Sequence, residues 1–183
     1  EKHTRRLQDM FTAAIMEYRD VGIFLDERRI RLFLHYRHIL HLDKEARVFL
    51  IKSILSLFVI GYNPYLDLSM TQDLLELLFI EQNKDNRLCM IGKLSSLAGY
   101  NDLPVLKELY KKETDYVAKT DILTLIADYD PLWVKTLCED FLTHWENLHD
   151  NFLEGVLRSV RLCIEPSLTR LILPVLSNHS SDT

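Results

Sequence analysis

His35, His38 and His41 fall at i, i+3 and i+6 in a segment that also carries Arg28, Arg29, Arg31 and Arg37. Residues three apart on a helix are surface neighbours, so adjacent imidazoles of this run can meet across one turn. Two imidazoles on one face begin a zinc site, which needs a third and usually a fourth donor in fixed geometry. Asp43 is the nearest further donor, and neither an HExxH pair nor a cysteine partner accompanies it. Cys89, Cys138 and Cys163 are an odd set with no CxxC or Cys/His spacing, each among apolar residues. The histidines therefore read as packed and half-exposed, and no metal or other cofactor is expected. The cysteine usage fits a reduced, cytoplasmic setting.

The same segment places Arg29 five residues from His35 and Arg31 six from His38, counting the residues between. That spacing resembles the Arg-x4-6-His motif of HEPN-type ribonucleases. The resemblance implies a helical dimer in which His acts as general acid and base and Arg holds the phosphate. The polar residue that follows the Arg in that motif is replaced by Ile30 and Leu32. A ribonuclease built on residues 28–41 is the alternative reading of function. No nucleophile elbow lies near His144, His149 or His179, and the five glycines are scattered rather than gathered in a phosphate loop. The expectation is a chain that is not an enzyme.

The elements that would carry these residues are helices. Residues 4–19 place Leu7, Met10, Phe11, Ala14, Ile15 and Tyr18 on one stripe of a 3.6-residue period. The segment Asp20-Val21-Gly22 breaks that helix, and a second is expected over 25–42, its Arg and His stems lying along apolar surface. Asp43 is a good N-cap for a third helix over 44–60. That run is apolar for about 15 residues, too short for a membrane span, and is interrupted by Lys52. Gly61 and Pro64 would stop it. Only five Gly and five Pro occur, which disfavours a fold with a turn every ten residues.

Beyond residue 70 the chain echoes itself. An offset of 29 lays residues 73–101 on 102–130, matching Asp73 to Asp102, Leu77 to Leu106 and Ile80 to Leu109. On this alignment Asn86 meets Asp115, both at expected N-caps. A third copy fits at 35, with the additional residues around 143–148. The unit Leu103-Pro104-Val105-Leu106, then Asp115-Tyr116-Val117, then Ile122 to Ala127, resembles a HEAT repeat. The basic residue usual just after the Val is here Ala118, with Lys119 one place later. The resemblance implies an all-α fold of antiparallel helical hairpins, stacked as a short, irregular HEAT/ARM-like α-solenoid. An irregular helical bundle is the alternative. The expected organisation is one all-helical domain over 1–176, with N-terminal helices in 1–64, hairpins in 70–176 and a tail over 177–183.

Charge is uneven: residues 1–60 carry 11 Lys/Arg and 8 Asp/Glu, while 61–183 carry 11 and 19. An acidic C-terminal part disfavours nucleic acid as a partner. Trp133 and Trp145 read as packing residues in this acidic surrounding. In a stack of hairpins the second helices line a concave face, where partners lie. That geometry would expose Arg87, Lys93, Lys119, Asp121, Arg158 and Arg161 as a mildly basic strip, suited to an acidic helix or peptide. The expected function is a non-catalytic protein–protein interaction or scaffold module. A cytoplasmic location is expected, either free or as the cytosolic part of a membrane-anchored chain.

Overall fold

Aspartates that accept from free backbone N–H groups set where several helices begin. Asp26 accepts from the Arg29 N–H at 2.8 Å, Asp43 from Ala46 at 2.8 Å, and Asp130 from Trp133 at 3.1 Å. Asp115 accepts from both Val117 and Ala118 at 3.1 Å. The computed structural model describes residues 2–57, 65–163 and 166–179. The helices are α1 Lys2–Val21, α2 Glu27–Tyr36, α3 Lys44–Leu57, α4 Thr71–Leu78, α5 Lys84–Leu97, α6 Leu103–Lys112, α7 Tyr116–Ala127, α8 Pro131–Thr143, α9 Asp150–Cys163 and α10 Pro166–His179. Among the described residues there is no strand, so the fold is all-α.

The chain divides into two compact units, Glu1–Leu97 and Ala98–Thr183. In the first, α1 to α3 close around Phe11, Phe33 and Phe49, each at most 2% exposed. Phe11 meets Phe33 edge-on at 4.6 Å between ring centroids. Gly22, at φ 73°, ends α1 in the left-handed conformation that glycine adopts without strain, its N–H returning to the Tyr18 carbonyl. Hairpin α4–α5 packs beside α3, and Arg47 of α3 holds the buried Asp73 of α4 through bonds of 2.8 and 3.1 Å. In the second unit α7 packs against α6, α8 and α9, and α10 lies on α8.

Two sequence expectations change and a third lies outside the described residues. The helix expected over 25–42 ends at Tyr36. Because Asp43 already caps α3, a helix reaching residue 42 would leave no chain to reverse direction, and antiparallel neighbours need several connecting residues. The turn also brings Leu40 inside, at 7% exposure. The third helix is described to Leu57, so the expected end at residues 58–64 lies outside the described residues. Residues 177–179 of the expected tail belong to α10, which is described through His179.

The hairpin alignment at 29 is also corrected. Asn83, not Asn86, caps α5, accepting from the Asn86 N–H at 3.0 Å. The helix starts match at an offset of 32, Thr71 with Leu103 and Lys84 with Tyr116, which lays the cap Asn83 on Asp115 and Leu74 on Leu106. Extended once more, this offset lays Leu106 on Cys138, and Leu74, Leu106 and Cys138 are all 0% exposed. Leucine is frequent enough in this stretch for a three-residue slip to keep several apolar matches. Only the caps and burial distinguish the two registers, and Ile80, matched to a core position at 29, is 66% exposed.

Helices α7 and α9 run parallel, with Tyr116 near Phe152, Thr120 at Gly155 and Thr124 at Ser159. A Cβ on Gly155 would lie 2.1 Å from Thr120 Oγ1 and 2.2 Å from its Cγ2. Gly155→Ala is therefore expected to cost about 2 kcal/mol through overpacking, read as a lower urea midpoint. Adding Thr120→Ala should recover part of the loss, and an unchanged midpoint in Gly155→Ala alone would refute the close contact. On the other side of this core the Tyr110 hydroxyl is buried without a hydrogen-bond partner among the described residues. Burial, with a smaller push from Cys138, holds its pKa well above the usual value. Tyr110→Phe removes this unmet polar group and should stabilise the chain by about 1 kcal/mol; destabilisation in the same titration would show that the hydroxyl is satisfied.

Candidate interaction surface

The turn inside each hairpin leaves carbonyls at the end of one helix and N–H groups at the start of the next. A buried glutamate meets the N–H groups. Glu81 accepts from the Asn83 N–H at 2.8 Å, and Glu113 accepts from Thr114 at 2.8 Å and Asp115 at 2.9 Å. A cation from the second helix meets the carbonyls. Arg87 Nη1 donates to the Leu78 carbonyl at 3.3 Å and to that of Glu81 at 3.0 Å. Lys119 Nζ donates to the Glu113 carbonyl at 3.4 Å and sits 5.0 Å from the Tyr110 ring centroid. Glu81 and Glu113, like Arg87 and Lys119, are 32 residues apart.

This clasp relocates two of the six expected partner-binding residues. Arg87 and Lys119 are half-buried and turned onto their own hairpins. Lys93 lies half-buried on α5, close enough to Cys89 for its charge to oppose the rise that burial imposes on that thiol. Asp121 of α7 and Arg158 of α9 are near enough for their charges to interact. Burial raises the Asp121 pKa, Arg158 pulls it back down, and Asp115 adds a smaller upward push. Arg158 is exposed and also pairs with Glu154 at 3.1 Å. The Arg161 side chain lies outside the described residues. Lys119 is thus directed at its own turn rather than outward from the α7–α9 face.

The face has an aromatic end. Tyr116, 44% exposed, stacks on His149 with 4.9 Å between centroids and 18° between planes. Phe152 lies beneath at 5.7 Å from Tyr116, and Phe141 meets Phe152 edge-on at 5.1 Å. Val117, 43% exposed, is next along α7, and Asp121 follows one turn later on the same line. On the outer side of the unit Lys107 bridges Asp130 at 2.7 Å and lies 4.9 Å from the Trp133 ring centroid. The Lys107 bond, helped by the Trp133 N–H, holds the Asp130 carboxyl below the usual range. Trp133 also packs edge-on against Tyr110, a structural placement.

The Arg/His segment is dispersed. His35 closes α2 and packs edge-on against Tyr36, while His38 and His41 lie beyond the helix, so the three do not share a helical face. The backbone of His41 exchanges two hydrogen bonds with the Gln8 amide. Arg29 pairs with Glu17 and Asp26, each at 3.5 Å, and Arg31 holds Glu27 at 2.6 Å beneath the Tyr65 ring. That bond, joined by the Tyr65 hydroxyl, lowers the Glu27 pKa. Among the described residues no group of three His, Cys, Asp or Glu side chains could hold a metal ion.

Sequence reasoning missed the clasp because the repeat register was three residues out. The Glu-x-Asn and Glu-x-Asp pairs, each followed four residues later by Arg or Lys, are the signal that would have found it. Comparison with known protein families, with curated proteins and with solved structures gives no match to this chain. The clasp predicts unequal roles for two cations. Lys119→Met should lower stability by about 1 kcal/mol by removing the hydrogen bond to the Glu113 carbonyl and the contact with the Tyr110 ring. Arg158→Met, which removes exposed ion pairing, should change it by less than about 0.5 kcal/mol. Thermal melts of the two variants decide this, and equal melting points would count against the clasp.

Proposed function

We propose that this chain is a non-catalytic protein–protein interaction module whose hairpins form a short, irregular HEAT/ARM-like array. The partner docks along the α7–α9 face. The observation that carries this reading is the parallel, in-register contact of α7 with α9 through Thr120–Gly155 and Thr124–Ser159. Second helices of successive hairpins lie side by side in such arrays and offer one continuous surface. The half-exposed Tyr116 and Val117 on that surface supply the apolar contact that interface centres use. A cytoplasmic setting belongs to the same reading. Among the described residues no helix is long and apolar enough to cross a membrane.

The test compares proteins recovered with the wild type, Val117→Lys and Leu132→Lys. Leu132 is 70% exposed on α8 and serves as a control for an added surface charge. The wild type and Leu132→Lys should retain the same near-stoichiometric protein, and Val117→Lys should lose it by about tenfold, the effect of about 1.4 kcal/mol. Identical recovery by all three would overturn the assignment of the face.

A further inference from the structure

We infer that the α7–α9 face takes a cationic, arginine-bearing segment of its partner, seated on the Tyr116–His149 pair. This rests on the docking face proposed above and adds the chemistry of its occupant. The flat, half-open pair is the anchor. A guanidinium planar enough to lie on an aromatic face gains both cation–π attraction and stacking there. Tyr116 rests on Phe152 and is flanked by His149, which fixes the ring at the end of the face.

The charge around the anchor chooses the occupant. Asp115 precedes Tyr116 in the chain, Asp150 follows His149, and Asp121 lies one turn beyond Val117. Glu154 is one turn along α9 from Asp150. Against these four carboxylates stand Arg158, which pairs with Glu154 and draws down the Asp121 pKa, and, by sequence, Lys119 of α7 and Arg161 of α9. Lys119, the cation of α7, is directed at the Glu113 carbonyl and the Tyr110 ring. The starts of α7 and α9 each add about half a positive charge. Asp115 already answers the first by accepting from Val117 and Ala118. The negative excess lies in the unit as a whole: residues 98–183 carry 8 Lys/Arg against 14 Asp/Glu. An acidic peptide or a nucleic acid would meet this excess as repulsion, whereas a basic segment gains from it in affinity and association rate.

The experiment titrates the full chain into a fluorescent hexa-arginine peptide, with hexa-lysine and hexa-glutamate peptides beside it, and follows anisotropy at low and physiological salt. Hexa-arginine should bind, more tightly than hexa-lysine, and hexa-glutamate should not. Tyr116→Ala should weaken hexa-arginine binding about tenfold, Tyr116→Phe should leave it intact, and Asp121→Asn/Asp150→Asn should weaken it by a similar factor. The control Glu108→Gln/Glu139→Gln, acidic positions on α6 and α8, should leave it unchanged. Absence of hexa-arginine binding overturns the inference, as does equal weakening by face and control variants, which would indicate diffuse acidity. If hexa-arginine fails to bind while Val117→Lys still loses the natural partner, the cationic occupant falls and the docking face stands. If Val117→Lys also keeps its partner, both fall.

Discussion

The structure depends on how a tight helical hairpin meets its own polar ends. A turn of a few residues leaves carbonyls from the first helix and N–H groups from the second at the edge of the core, where each unmet group is costly. Glu81 and Glu113 take the N–H groups, and Arg87 and Lys119 take the carbonyls. With those demands met inside the hairpin, the apolar faces of α4 with α5, and of α6 with α7, close without loops. Every fully buried leucine or isoleucine on those faces then contributes about 1.5–3 kcal/mol.

The same clasp shapes the surface. A lysine at position 119 reads as a solvent cation when its hairpin is drawn as two bare cylinders. Once it spans the turn, its ammonium is directed at the Glu113 carbonyl and the Tyr110 ring rather than outward. Asp115 has a double part, capping α7 and leaving its charge beside Tyr116. One residue type thus sets both the start of a helix and the electrostatics of the surface that the helix presents.

Close approach is the second constraint. Helices α7 and α9 meet through Thr120, Gly155, Thr124 and Ser159, small or short side chains that let the backbones draw together. The contact holds the aromatic cluster of Tyr116, His149, Phe152 and Phe141 at one end, with the charges of Asp121 and Arg158 further along. Apart from this contact, the Tyr110 hydroxyl of α6 is buried with no partner among the described residues.

The sequence by itself determined the all-α character, the start of α3 and of α7 at their aspartates, and the apolar stripe of α1. These are local: a cap acts over three residues and a stripe over two turns, so neighbouring residue types suffice. It did not determine the end of α2, because helix propensity runs on through His41 and only the need to reverse toward α3 stops it at Tyr36. Nor did it determine the hairpin register, since leucines recur often enough to tolerate a slip of three. The directions of Arg87 and Lys119 were likewise decided by tertiary structure. A long cation can reach water or a turn carbonyl with equal ease in an isolated helix, and only the folded hairpin brings that carbonyl within reach.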